Sequence, residues 1–416
     1  MTVVIERWVL MLSLLACVSA CERPTAPAIF VYADRLVVVP VSAQGWRSVS
    51  VGGAHACAIR LTGALYCWGS NVSGQLGVGV ARGSCGRRAS ECEGGPRAVA
   101  SALHFAQVSA GQRHTCAITT DNALYCWGES VQFQTGVNGV PIVTTPTRVM
   151  PGVQFRDVGA GATHTCAIRT DGTVYCWGEG ALGALGVGDT VSRVTPVPIA
   201  SDLRFTMVRS GRLRSCAIEG GGRLWCWGSE WESSGSGFDF FHQRLLPHRI
   251  DGIGDLIDLS VNGSSLCALA RGGAAFCWES NAFGQLGTGT LVGTATPTPV
   301  ATDERFVTVS SGIIQSCGTA ADGRGLCWGN NSFGQLGVPR PGEHCGDSGL
   351  ECSTRPIGVF GEQRFVSVVT GFGNHTCGVT VASAVLCWGL GSEGQLGDGY
   401  TRDRQSLPTA VLPPSP

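Results

Sequence analysis

The sequence predicts an all-β fold made of seven repeats, each of which contains a β-hairpin. One unit recurs seven times: a Cys, nine other residues, a second Cys and a Trp. A turn residue recurs at a fixed place inside the unit, and the flanking segments are β-branched and aromatic, as in strands. Because 416 residues exceed the usual size of a single core, we expect either several domains or one ring of repeats.

The repeat has a period of about fifty residues. Intervals between successive first cysteines are 59, 50, 50, 51, 50 and 60 residues. The pairs are Cys57 with Cys67, Cys116 with Cys126, Cys166 with Cys176, Cys216 with Cys226, Cys267 with Cys277, Cys317 with Cys327 and Cys377 with Cys387, and the Trp residues are Trp68, Trp127, Trp177, Trp227, Trp278, Trp328 and Trp388.

The spacing within each pair predicts a hairpin closed by a disulfide. Pairing Cys166 with Cys176 leaves a three-residue loop that needs a left-handed residue at its third position. That position holds Gly in five repeats and Asn122 in a sixth, and Ser383 is the exception. Directly opposed cysteines on adjacent strands are close enough to bond. Metal binding is the alternative, but zinc ligands are usually separated by only two to four residues, so we predict disulfides and no metal.

The two long intervals contain the remaining downstream cysteines. Cys85 with Cys92 and Cys345 with Cys352 each begin 18 residues after the second Cys of their repeat. Both loops follow the pattern Cys-Gly, four residues, Glu-Cys. We therefore predict the same disulfide-closed loop in repeats 1 and 6, on one rim with repeat 7 between them.

Most repeats continue past the Trp as Gly-x-Asn-x-x-Gly-Gln-Leu-Gly, as at residues 69–77, and several carry Gly-x-x-His-x-Cys upstream. In these motifs the chain resembles the regulator-of-chromosome-condensation repeat family, over nearly the whole length from Trp46 to Val411. The resemblance implies a seven-bladed β-propeller with four strands in each blade. A Pro-x-x-Val sequence recurs up to Pro408 and Val411. We expect this carboxy-terminal strand to complete the first blade, with residues 36–39 as the competing candidate.

The amino terminus predicts export. An apolar segment of 13 residues from Trp8 to Ala20 is too short to span a bilayer but long enough for a signal peptide. Val18-Ser19-Ala20-Cys21 resembles the bacterial lipobox, so Cys21 is the expected lipidated residue; an ordinary secretory signal is the alternative. We predict a signal peptide at 1–20, a tether at 21–34, the propeller at 35–412 and a Pro-rich tail at 413–416. The expected location is the cell envelope, lipid-anchored at the outer membrane or cell surface, or otherwise periplasmic or secreted.

Composition argues against several function classes. The formal net charge is −1, and all 29 basic residues are Arg because the chain contains no Lys. No basic surplus exists for binding nucleic acid. A P-loop and Schiff-base chemistry both need a lysine. We expect no cofactor, contact with the membrane only through a lipid anchor, and a monomer.

No catalytic constellation is visible. His55, His114, His164 and His375 lie two residues before a first Cys, and we interpret this column as one repeated structural hydrogen bond. No carboxylate pair stands out from the repeat, so we predict that the protein is not an enzyme.

Positions where the repeats disagree are the candidate binding surface, because repeat-specific insertions usually fall on one binding face. The first disulfide-closed loop carries Arg87 and Arg88. Repeat 4 has lost Gly-Gln-Leu-Gly and gained aromatic residues, which are frequent on recognition surfaces: Trp231, Phe238, Phe240 and Phe241. For the disulfide-closed loop, the alternative is a stable insertion without a binding role. For the aromatic residues, the alternative is that they fill the core of the blade.

The leading hypothesis is a noncatalytic binding or scaffolding propeller on the bacterial envelope that holds a protein or glycan partner on one face. The family resemblance implies two alternatives, a guanine-nucleotide exchange factor and an inhibitor of β-lactamases, and no contact residue is matched to either. An enzyme acting on polysaccharide is a further alternative, and it requires carboxylates or His converging at one channel mouth without copies in other repeats.

Overall fold

A computed structural model describes residues 28–32, 35–39, 45–80, 83–85, 90–233, 239–345 and 349–414. The predicted signal peptide, Cys21, Arg87, Arg88 and Phe238 lie outside these residues. Within them, the chain forms seven antiparallel sheets arranged as a β-propeller, and a separate two-stranded hairpin precedes the first blade. The predicted fold class is confirmed.

Five blades are antiparallel sheets of four strands in chain order, and blades 1 and 6 have a fifth strand at the outer edge that lies between the third and the fourth in the chain. Blades 1 to 3 consist of β3 (Trp46–Val51), β4 (His55–Arg60), β5 (Leu65–Ser70), β6 (Gly83–Cys85) and β7 (Ser90–Ala98); β8 (Phe105–Ala110), β9 (His114–Thr119), β10 (Leu124–Glu129) and β11 (Ile142–Arg148); β12 (Phe155–Ala160), β13 (His164–Arg169), β14 (Val174–Gly178) and β15 (Arg193–Pro198). A 3-10 turn occupies Ala181–Gly183.

Blades 4 to 7 repeat this arrangement. They consist of β16 (Phe205–Ser210), β17 (Arg214–Glu219), β18 (Leu224–Ser233) and β19 (Asp239–Ile250); β20 (Leu256–Val261), β21 (Ser265–Ala270), β22 (Ala275–Glu279) and β23 (Thr294–Pro299); β24 (Phe306–Ser311), β25 (Gln315–Ala320), β26 (Gly325–Asn330), β27 (Glu343–Cys345) and β28 (Leu350–Gly358); β29 (Phe365–Thr370), β30 (His375–Thr380), β31 (Val385–Gly391) and β32 (Arg402–Ala410).

The ring closes by packing, without a shared strand. The first strands of neighbouring blades contact each other all the way round, and β29 of blade 7 contacts β3 of blade 1. At this junction the Trp46 N–H donates to the Ser383 carbonyl at 2.8 Å, and Trp46 and Trp68 share a buried apolar cluster with Leu396.

The prediction that the carboxy-terminal strand completes blade 1 is wrong. β32 pairs with β31 and is the fourth strand of blade 7, because a Pro-x-x-Val or Pro-x-x-Ile sequence ends the fourth strand of every blade. The first strand of blade 1 is β3, which contains Trp46 and Val49, so blade 1 is complete without β32. The competing candidate is also wrong, since β2 (Arg35–Val39) pairs with β1 (Ala28–Tyr32), which lies in the predicted tether.

The hairpin prediction is confirmed in all seven blades. Each first Cys lies directly opposite its second Cys on the neighbouring strand, and the paired Cα atoms are 4.0 to 4.2 Å apart. The turn residue has positive φ throughout, including Asn122 at 66° and the exceptional Ser383 at 61°.

These disulfides are structural and do not belong to the candidate binding surface. The cysteines lie in the core between blades, where they are 0 to 5% exposed. A ligand does not reach sulfur atoms at such positions, so the predicted disulfides contribute to the stability of the hairpins and to nothing that binds. The bonded pairs are Cys57 with Cys67, Cys116 with Cys126, Cys166 with Cys176, Cys216 with Cys226, Cys267 with Cys277, Cys317 with Cys327 and Cys377 with Cys387.

The recurring loop after the Trp connects each blade to the next. The indole N–H of Trp127 donates to the backbone carbonyl of Gln75 in the preceding blade at 3.0 Å, and the Gln75 side chain holds the loop by accepting the Ser73 N–H at 2.8 Å. The same indole bond, at 2.9 to 3.0 Å, joins Trp68 to Gln395, Trp177 to Gln134, Trp328 to Gln285 and Trp388 to Gln335. Gly-Gln-Leu-Gly is therefore a blade-to-blade connection.

Candidate functional site

Departures from the blade repeat are concentrated on one face of the ring. In an antiparallel meander, the turns between strands one and two and between strands three and four emerge at the same end of the sheet. Blades 1, 4 and 6 differ from the others in the connection from strand three to strand four. We call this end the variable face, and we call the opposite end, which carries the cysteine-hairpin turns, the turn face.

The loops of blades 1 and 6 form equivalent structures, as predicted. β6 pairs with β7 and β27 pairs with β28, so each blade gains a short fifth strand at its outer edge. A buried disulfide joins Cys345 to Cys352 in blade 6. In blade 1, Cys92 is buried and disulfide-bonded. Glu351 forms an ion pair with Arg404 of β32, so the blade 6 loop contacts blade 7.

Blade 4 carries an extended two-stranded ribbon, which we define as residues 229–233 of β18 and 239–243 of β19. Trp231 is paired with Phe241, and Phe240 with Glu232, so three predicted aromatic residues occupy two adjacent rungs. The fourth, Phe238, lies outside the described residues. The structure does not bring the ribbon together with the blade 1 loop, since blades 2 and 3 separate them.

A buried ion pair replaces the repeat motif between blades 4 and 5. Arg214 occupies the column that holds His55 in blade 1, and its guanidinium donates to the Glu279 carboxylate. The two side chains are 10% and 4% exposed. Glu279 has φ of 86°, at a position where the other six blades have Gly. A non-Gly residue in that conformation stores strain, and the contact with Arg214 holds Glu279 there. The repeat pattern in the sequence did not identify this ion pair.

Next to this ion pair, a cleft of about 260 Å³ opens on the variable face at the base of the ribbon. Its lining includes Leu182, Arg212, Leu213, Ser229 and Asn262. The Arg212 side chain is exposed and has no ion pair within the described part of the chain. The cleft therefore combines apolar walls with one available positive charge.

The histidine column has the predicted structural role in three blades. Nε2 of His55 lies 2.9 Å from the Thr115 hydroxyl of the next blade, and His114 and His164 make equivalent contacts of 2.8 Å with Thr165 and Ser215. His375 faces blade 1, where Ala56 replaces the hydroxyl residue of that column, and its ring nitrogens have no hydrogen-bond partner among the described residues. Burial lowers the pKa of these imidazoles to about 3 for His55 and His114 and to about 4 for His164 and His375.

Two carboxylates of the first strands, Asp157 and Asp258, have no copies in the first strands of the other blades, and both are engaged by protein donors. Asp157 accepts the backbone N–H of Val208 at 2.7 Å and Arg209 at 3.1 Å, and Asp258 accepts the Val309 N–H at 3.3 Å. Burial raises the pKa of Asp258. Burial also opposes the charge of Arg209, but the two carboxylates raise its pKa above its ordinary value. The arrangement joins the inner strands of adjacent blades.

Among the described residues, no cluster of three His, Cys, Asp or Glu side chains is arranged to hold a metal ion. The same part of the chain contains no helix long and apolar enough to cross a membrane.

Models of the regulator of chromosome condensation (RCC1) repeat match residues 46–75, 105–134 and 155–184, and also 62–118, 171–218 and 272–317. The chain belongs to the RCC1 repeat family. The first three matched segments each contain a complete cysteine hairpin and the blade Trp that follows it, so the RCC1 repeat accounts for the unit that recurs in the sequence.

Curated relatives match only part of the chain. The ultraviolet-B receptor UVR8 of Arabidopsis thaliana is 33% identical over 119 residues, which cover 28% of this chain and 26% of UVR8. HERC4 of Mus musculus, described as a probable E3 ubiquitin-protein ligase, is 34% identical over 92 residues, which cover 22% of this chain and 8% of HERC4. The chain thus matches about a quarter or less of the length of these relatives.

Solved structures match the whole ring. Prp20p of Saccharomyces cerevisiae, whose structure was described with its binding to Gsp1p and histones, gives a TM-score of 0.72 at 18% identity and covers 89% of this chain and 88% of its own. Human WBSCR16 gives 0.67 at 21% identity, covering 81% and 87%. At these identities the similarity shows the propeller fold alone.

Proposed function

We propose that this protein is an exported, noncatalytic propeller that holds a partner protein on its variable face. The observation that carries the proposal is the location of the departures: the blade 1 and blade 6 loops, the ribbon, the buried ion pair and the cleft all lie on that face. Repeat proteins usually bind through the face that carries such insertions.

Protein binding is also favoured by the family. Prp20p binds Gsp1p and histones, and the fold similarity makes a protein partner the reasonable expectation here, although fold alone does not assign the partner. Exchange on a nuclear GTPase is a poor fit, because the disulfide-rich blades require an oxidising compartment. We propose export with the signal peptide at 1–20 and lipidation at Cys21.

The carboxylates of the first strands do not favour catalysis on polysaccharide. Asp157 and Asp258 already accept backbone N–H groups of neighbouring blades, and Asp157 also binds Arg209. A general acid and base need to reach the substrate. We infer that these side chains hold the ring together.

Capture of partners from native envelope extracts tests the proposal. The bait is the soluble body starting at Glu22, compared with a variant that combines Trp231→Ala with deletion of Arg87 and Arg88. Arg271→Ala, on the turn face, is the control because this exposed arginine is paired with exposed Asp255. We expect a protein that the wild type and the control capture and the variable-face variant loses. Equal capture by all three, or loss only with Arg271→Ala, would place binding elsewhere.

A further inference from the structure

Departures from the repeat cluster in one sector, between blades 3 and 5. Ala184 replaces the loop Gln, Arg214 replaces the column His, and Glu279 replaces Gly with φ of 86°. Leu182, at the edge of the cleft, also has positive φ, 57°. Strained non-Gly residues persist where the surroundings hold them and often mark functional sites. Because this sector combines three replacements of repeat residues, it points to a site between blades 3 and 5.

The ribbon presents an open strand edge beside the cleft. The Ser229 N–H donates to the Leu213 carbonyl at 2.8 Å, and the pairing of β17 with β18 ends at Arg214 and Gly228. Beyond this point, residues 230–233 have no strand on that side within the described ranges. Because backbone groups alternate along a strand, the N–H groups of Trp231 and Ser233 are directed to the same edge as that of Ser229.

The charges around the cleft favour an anionic ligand. Arg214 is neutralised by Glu279, and Glu230 is bonded to Arg244 at 2.6 Å and to His248 at 3.1 Å. Arg212 keeps its charge exposed at the cleft between Leu182 and Leu213. A carboxylate complements that guanidinium well, since Arg presents several donors in a planar fork.

We propose that an extended segment of a partner protein docks here by adding a strand to residues 230–233 and placing a carboxylate on Arg212, with an apolar side chain between Leu182 and Leu213. This inference rests on the proposed function. Strand addition obtains affinity from backbone hydrogen bonds and specificity from side-chain pockets. The added strand would pair with the extension of β18, in line with β17 and beyond Arg214, where β17 begins. In this position it would lie directly over the cleft.

A random 12-residue peptide library displayed on phage provides the probe. The disulfide-bonded body is used for selection, and synthetic versions of selected peptides are measured by fluorescence anisotropy. Two variants test the site: Arg212→Ala removes the charge, and Ser233→Pro removes an N–H at an open strand edge, where Pro is tolerated. Arg113→Ala, on the corresponding blade 2 loop, is the control because Arg113 is already paired with Glu129 at 3.1 Å.

We expect peptides rich in β-branched and acidic residues that protect residues 229–233 from hydrogen exchange. Loss of a charge-assisted hydrogen bond weakens binding by about 10- to 100-fold, so Arg212→Ala and the Glu→Gln form of each peptide should both show that loss, and Ser233→Pro should weaken binding as well. Failure to select peptides, or affinity equal in wild type, Arg212→Ala and Ser233→Pro, overturns the inference. A native partner that protects only blades 1, 6 and 7 of the variable face also overturns it but leaves the proposed function intact.

Discussion

At the scale of single residues, the indole N–H of the blade Trp joins neighbouring blades through one hydrogen bond. Trp127 donates to the Gln75 backbone carbonyl, whereas Trp227, which is equally buried, has no hydrogen-bond partner for its Nε1 within the described residues. The loop that precedes Trp227 has Ala184 in place of the Gln. The two residues therefore form a natural comparison between a bonded and an unbonded indole in the same position of the repeat.

We predict that Trp127→Phe lowers the free energy of unfolding more than Trp227→Phe does. Both substitutions remove a similar volume, but only the first breaks a hydrogen bond, an additional cost of about 0.5 to 1.5 kcal/mol, since the Gln75 carbonyl still accepts the Thr115 hydroxyl at 2.8 Å. Urea denaturation of the disulfide-intact protein measures the difference. Equal losses in the two variants would mean that the indole bond does not contribute.

The residues that recur in every repeat could be predicted from the sequence. Fewer of the residues that differ between repeats could be explained in this way. The turn glycines, the opposed cysteines and the histidine column follow from local geometry that each repeat satisfies independently. Glu279 was missed because its partner, Arg214, lies 65 residues away in the sequence, and no local pattern connects the two residues. One signal was present: Glu279 is the single non-Gly residue after the seven blade Trp residues, and only a compensating contact explains a charge there.

At the scale of structural elements, the contact between blades 4 and 5 depends on Arg214 and Glu279 in place of the usual His and Gly. We predict that Arg214→His and Glu279→Gly each destabilise the protein by about 3 to 5 kcal/mol, because each removes one partner of a buried ion pair. The double variant restores the residues used by other blades and should recover most of that loss. Chemical denaturation of all four proteins gives the coupling energy, and additive losses would contradict the assignment.

The same scale shows where prediction from sequence failed. The carboxy-terminal strand was assigned to blade 1 because Pro408 follows the last Cys pair. The repeat pattern alone does not show whether a blade begins before or after this strand. Trp46 replaces the Phe that begins most of the other first strands, and it fills the same buried position. That substitution concealed the start of the first blade. The extension of β18 into a ribbon was also missed, because loss of Gly-Gln-Leu-Gly does not itself specify a strand.

At the scale of the whole molecule, four buried histidines make stability depend on pH. Their pKa values lie at about 3 to 4 in the folded state, below the ordinary 6.5 of the unfolded chain. The unfolded state therefore binds more protons between these values, and stability decreases as pH falls below about 6.5. Each histidine contributes a slope of roughly 1.4 kcal/mol per pH unit.

We predict that His114→Gln reduces this slope by about one histidine's share, roughly 1.4 kcal/mol per pH unit. Gln fits the column, since Gln315 occupies it in blade 6 and bonds to Thr370 and Gly373. Urea denaturation at several pH values between 7 and 4.5 measures the slope, and His104→Gln, at an exposed position, is the matched control. The same slope in wild type and His114→Gln would contradict the assignment.

We expect this ring to bind a protein partner through its variable face. Hydrogen-exchange mass spectrometry of the disulfide-intact body, alone and with the captured partner, tests it most directly. We predict protection in the connections from strand three to strand four, above all at residues 229–243, with the cysteine-hairpin turns unchanged. Protection confined to those turns, at residues such as Gly172 and Gly323, would place the partner on the opposite face and contradict the claim.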